Sequence, residues 1–144
     1  KFICFLNVFI TEIMLTPYEV AVKSVIPALR RMVAEKLIKN HSFTQQRAAS
    51  VLGVSQSAIS RYDTKNRGVA IDLESHKDVV RLVDDLAERI ASGELTPVNV
   101  AKRIDDICDY VLKHGYMCDF HARIDPVISR QRCGVCLDDE SAAA

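Results

Sequence analysis

The sequence predicts an all-α protein: a bundle of short helices, then a helical hairpin, then a Cys/His-bearing tail. Three observations carry this. Five Gly and four Pro in 144 residues are too few turn residues for a loop-rich β architecture. Apolar residues return every three or four positions through most of the chain. Helix-start signals stand ahead of those stripes. An apolar fraction of 49% and a charged fraction of 26% are those of a soluble globular chain and exclude a disordered one.

The elements follow in order. Residues 1–14 form an apolar N-terminal extension, FICFLNVFI behind Lys1. The run is too short to span a bilayer. It has the length of a signal-peptide core, but no small-residue cleavage pattern follows it. The expectation is a natural or mis-called extension ahead of a start at Met14, packing on a partner in the first case, with a secretory signal as the lesser reading. A cytoplasmic location and mostly reduced or metal-bound cysteines then follow, with Cys4 a packing residue.

Leu15-Thr16-Pro17-Tyr18-Glu19-Val20 is a helix start. Thr16 suits the N-cap, Pro17 the first turn, and Glu19 reaches back to close a capping box. Leu15 and Val20 are spaced as a hydrophobic staple. Ile26, Leu29, Val33 and Leu37 make one buried stripe, with a kink or restart expected near Pro27, and Asn40-His41-Ser42 ends the helix. A short helix from Thr44 to about Leu52, a break at Gly53 and a helix capped by Ser55 and running to about Tyr62 come next. Asp63 to Asp72 is polar and irregular, with Gly68 as a turn. Val79, Val83, Leu86 and Ile90 then stripe a helix that Ser92-Gly93 ends in a left-handed cap. Leu95-Thr96-Pro97 repeats the start signal, and Val100, Ile104, Ile107, Cys108 and Val111 stripe a helix that stops at His114-Gly115. The short link between these two helices makes them an antiparallel hairpin. The predicted divisions are 1–14, 15–69, 70–115 and 116–144. The last carries Cys and His and is less regular.

Net charge is zero, but it is unevenly placed. Thr16 to Gly68 holds nine Lys/Arg against three Asp/Glu, and Ala70 to Leu112 holds five against ten. Chance clustering gives such splits; so does a basic module facing a polyanion with an acidic module kept away from it.

The stretch QRAASVLGVSQSAISRY is the most specific in the chain. Ala49 is small where a second helix must cross close by, and four residues on Gly53 takes a positive φ without a Cβ clash. Ala48, Leu52, Val54, Ile59 and Tyr62 lock the pair. Left over on the second helix are Ser55, Gln56, Ser57, Ser60 and Arg61. Gln pairs bidentately with adenine, Arg with guanine, and Ser with base or phosphate. The helix N-terminus and the Ser55 hydroxyl suit a phosphate oxygen, and Arg47, Lys65 and Arg67 flank the face as backbone holders. An ordinary helical corner with a solvated face is the plain alternative.

Residues Leu15 to Tyr62, about a third of the chain, resemble archaeal regulators of the Cro/lambda-repressor-like (xenobiotic-response-element) helix-turn-helix class. PYEVAVKSVIPALRRMVAEKL and FTQQRAASVLGVSQSAISRY carry the likeness. The resemblance implies a lambda-repressor-like helix-turn-helix bundle that binds double-stranded DNA as a homodimer on a partly palindromic site. It also implies that Gln45, Gln56, Ser57, Ser60 and Arg61 contact DNA. The function expected is transcription regulation. An interaction adaptor in a transcription complex, docked through the acidic hairpin, is the alternative, as is a metal- or redox-responsive regulator.

Cys118-x2-His121-x11-Cys133-x2-Cys136 has two close pairs at metal-site spacing. Each pair would clamp one edge of a zinc tetrahedron. A Cys133–Cys136 disulfide and free thiols, with His121 a surface residue, are competing readings. An iron–sulfur cluster would use the same thiolates. Cys108 lies on an apolar stripe and reads as core.

No catalytic constellation is present: no Gly-rich phosphate loop, no HExxH and no nucleophile elbow. A Cys–His121 dyad would lack an orienting partner. Asp84-Asp85, Asp105-Asp106 and Asp138-Asp139-Glu140 read as solvated acidic faces. An enzyme is not expected.

Overall fold

A computed structural model describes residues 14–65, 67–130 and 133–137. The apolar extension, with Cys4, lies outside these residues except for Met14, as do Asp138-Asp139-Glu140 and the terminal alanines. Among the described residues the protein is all-helical, with eight helices: α1 (Pro17–Lys23), α2 (Val25–His41), α3 (Gln45–Leu52), α4 (Gln56–Asp63), α5 (Lys77–Ala91), α6 (Pro97–Lys113), α7 (Cys118–Ile124) and α8 (Pro126–Arg130).

The start of α1 is a closed capping box. The Thr16 amide donates to Glu19 Oε2 at 2.8 Å, and the Glu19 amide donates to Thr16 Oγ1 at 3.3 Å. The break expected near Pro27 falls three residues earlier, at Ser24, whose hydroxyl donates to the Val20 carbonyl at 2.7 Å. Pro27 therefore sits in the first turn of α2, where a missing amide hydrogen leaves no bond unmade. Ser42 ends α2 in the left-handed region at φ 58°.

Helix α2 is the axis of the fold and packs against α1, α3, α4, α5 and α6. Leu29, Val33 and Leu37 are fully buried on it. The stripes of the hairpin, Val79, Val83, Leu86 and Ile90 on α5 and Val100, Ile104, Ile107, Cys108 and Val111 on α6, are buried as the spacing predicts, and they join one core cluster running from Val20 to Met117. Burial pushes the Cys108 thiol up to about 12, so it packs as a small hydrophobe. Arg31, also buried, ties the irregular stretch before α5 to α2. It donates from Nε to the Gly68 carbonyl at 2.7 Å and from its other nitrogens to Glu35 and Glu74.

Two features depart from the sequence expectation. Helix α5, which the sequence places at Ser75–Ser92, starts at Lys77 with His76 at its N-cap. The tail is more regular than composition suggests, because α7 and α8 are held by the far end of the chain. Asp125, almost fully buried, accepts from the Leu15 amide at 2.8 Å, and His121 Nε2 lies 3.0 Å from the Leu15 carbonyl. No helix among the described residues is long and apolar enough to cross a membrane.

Candidate nucleic-acid interface and thiol cavity

Helices α3 and α4 are built by their caps. Thr44 Oγ1 accepts from the Arg47 amide at 3.1 Å, and Ser55 Oγ accepts from the Ala58 amide at 3.1 Å. Between them Gly53 caps α3 at φ 65°, and a Cβ there would meet nothing within 4 Å. Glycine is thus required by the backbone angle rather than by space. Ala48, Ala49 and Leu52 on α3 and Ala58, Ile59 and Tyr62 on α4 turn into the core.

This burial leaves a continuous polar face. Ser55, Gln56, Ser57, Ser60 and Arg61 are all exposed, as are Arg47, Lys65 and Arg67; Gln45 is half-buried. Arg61 makes no ion pair among the described residues, so its guanidinium has no internal competitor. Arg47 lies over the Phe43 ring at 3.9 Å and Arg67 stands 5.9 Å from the Tyr62 centroid. Both rings steady a cation without neutralising it. Ser55 is already occupied as a cap and shares a 3.1 Å contact with the Ser57 hydroxyl, so only one of these two hydroxyl hydrogens is spent internally. Thr44, which opens α3 beside Gln45, is an exposed cap on the same helix pair that sequence reasoning did not single out as a contact residue. Its Thr-x-x-Arg setting was the available signal.

Apart from α3 and α4, none of whose residues line it, Cys118, His121, Cys133 and Cys136 line one cavity of about 180 Å³. The three cysteines are half-buried and, with Cys108, are free thiols. Burial raises the Cys118 thiol, and the neighbouring Cys133 charge adds to it; burial raises Cys136, with Cys118 and Cys133 adding. His121 is buried at 3% exposure, which corrects the surface reading. Among the described residues, no group of three or more His, Cys, Asp or Glu side chains is already gathered around a point that an ion could occupy.

A third cluster was not legible in the sequence. Tyr110 and Tyr116 both donate to Asp78 Oδ2 at 2.7 Å, His76 stacks on Tyr116 and His114 stacks on Tyr110, each with centroids 3.8 Å apart. It fastens the start of α5 to the end of α6. Only the spacing of two Tyr and two His around the hairpin hinted at it.

No protein-family model, curated protein or solved structure matches the chain.

Proposed function

We propose that the chain is a sequence-specific double-stranded DNA-binding protein, a transcription regulator acting as a homodimer, with α4 as its reading helix in a lambda-repressor-like arrangement. The observation that carries this is the division of α4. Ala58, Ile59 and Tyr62 are buried while Gln56, Ser57, Ser60 and Arg61 face solvent together. An amide, two hydroxyls and a guanidinium on one helix face supply the donor and acceptor types that distinguish base pairs in the major groove. Arg47, Lys65 and Arg67 flank it as phosphate contacts that set register.

The homodimer is supported by a groove of about 170 Å³ between α5 and α6, floored by Leu82, Leu86 and Ile107 and rimmed by Asp85, Arg89, Arg103 and Asp106. A rim carrying both signs does not repel a second copy of itself, and a two-fold axis would set this same patch against its own counterpart. Each subunit would then present α4 to successive major grooves.

The test is binding of the purified chain to labelled genomic fragments across a salt series. The expected result is retention of a small set of fragments in the roughly nanomolar range, weakening steeply as salt rises. Retention of no fragment above the non-specific level at moderate salt would overturn the reading.

A further inference from the structure

The thiol cavity lies apart from α4, and its chemistry does not depend on whether the chain binds DNA. Beside the Asp119 carboxylate, its lining carries three thiols and one imidazole, and these four come as two pairs. Cys118 and His121 are one turn apart on α7, and Cys133 and Cys136 are joined by a turn in which the Leu137 amide donates to the Gly134 carbonyl at 3.2 Å. The second pair is seated against the first. A Cβ on Gly115 would lie 3.1 Å from Leu137 Cδ2 and 3.7 Å from Cys118 Sγ, so the bare glycine lets the segment pack at the α6–α7 corner.

His121 is oriented as a ligand would be. The Leu15 carbonyl 3.0 Å from Nε2 can only accept, so Nε2 carries the hydrogen. In the neutral ring Nδ1 then keeps its lone pair, and no described residue bonds to it. Asp125 Oδ2 stands 3.6 Å from the same Nε2 and is itself fixed by the Leu15 amide. A ring held through one nitrogen by a backbone carbonyl, with a carboxylate close by and no described residue bonded to the other nitrogen, matches the outer support of a metal-bound imidazole.

We infer that Cys118, His121 Nδ1, Cys133 and Cys136 form a structural zinc site that closes when the ion binds. Three thiolates and one imidazole are a complete tetrahedral donor set for zinc, leaving no open position for water. Because the donors are not yet gathered around one point, binding draws the Cys133–Cys136 turn onto α7. Zinc–sulfur bonds of about 2.3 Å bring the sulfurs to within roughly 4 Å of one another. Each thiol that binds gives up its proton to solvent, so affinity falls as pH falls.

The experiment uses the full chain, purified under reducing and anaerobic conditions, stripped with a chelator and titrated with Zn²⁺ and with Co²⁺ as a spectroscopic probe. The expected result is one ion per chain, intense tetrahedral cobalt bands with sulfur-to-cobalt charge transfer, and a rise in Tm on adding zinc. Cys118→Ser and Cys136→Ser should each weaken binding at least about tenfold. His121→Gln keeps a donor for the Leu15 carbonyl but removes the ligating nitrogen, so it should weaken binding and shift the cobalt bands while far-UV dichroism shows the helices intact. Cys108→Ala should titrate as the native chain does. An unaltered titration in Cys136→Ser would overturn the site, as would failure of the native chain to take up either ion. So would iron and sulfide in the protein as isolated, or a disulfide between two of the three thiols in the reduced preparation.

Discussion

At Gly53 the backbone holds φ at 65° with open space where a Cβ would go, so an alanine there pays only the left-handed penalty. Gly53→Ala should lower unfolding free energy by about 1–2 kcal/mol in urea titration; an unchanged midpoint would show that the turn relaxes freely. Ser55 and Gln56 are neighbours with separable roles. Ser55→Ala removes the cap on the Ala58 amide and should cost about 1 kcal/mol of stability. Gln56→Ala touches nothing inside the protein, so it should leave stability within about 0.5 kcal/mol and weaken duplex binding instead. The paired unfolding and binding curves check both. Residue-level features of this sort were legible in the sequence. A cap or a positive-φ glycine is decided within four residues of itself, and Thr16, Thr44, Ser55 and Thr96 all cap the helices their positions predict.

Elements were legible where an amphipathic stripe sets them, as in α5 and α6, and less so where distant contacts do. Pro27 marks the α1–α2 break to within three residues but does not place it at Ser24, and α7 and α8 lack a long stripe. Their order comes from Asp125 and His121 meeting Leu15 across most of the sequence. The Asp78 cluster is similar, joining groups 32 and 38 residues apart. Hydrogen bonds from Tyr110 and then Tyr116 hold the Asp78 carboxyl down at about 2, against an ordinary 3.8. Its contribution is therefore full above about pH 4 and is lost as pH falls through 2. The bond to Asp78 raises the Tyr116 hydroxyl to about 12, so this part is full below pH 10 and is lost as pH rises through 12. Asp78 is half-buried, and solvent screens the effect. Asp78→Asn should flatten the acid limb of Tm against pH relative to the native chain. Superimposable acid limbs would show that the carboxylate contributes nothing there.

At the scale of the whole molecule the charge split takes on a geometry. The basic stretch includes α3 and α4 with their exposed Arg47, Arg61, Lys65 and Arg67, and the acidic stretch is the α5–α6 hairpin, where Lys36 meets Asp84 at 2.9 Å. The all-helical architecture was legible because stripes and caps agree along the chain. The grouping of Cys118, His121, Cys133 and Cys136 was legible in their spacing and they line one cavity, whereas their chemical state was not, since spacing alone fits a metal site, a disulfide or free thiols. For the dimer, sedimentation should give two chains per particle, and Leu82→Glu, placed in the α5–α6 groove, should give one with helicity unchanged; a monomeric native chain would remove that surface. The most direct measurement is the base-preference profile obtained by selecting bound duplexes from a randomised pool with the native chain and with Arg61→Ala. The native chain should yield a two-fold related pair of half-sites, and Arg61→Ala should flatten one base pair in each half-site, a loss of about 1–3 kcal/mol of discrimination there. A flat native profile, or the same profile from both proteins, would contradict the assignment of α4 as the reading helix.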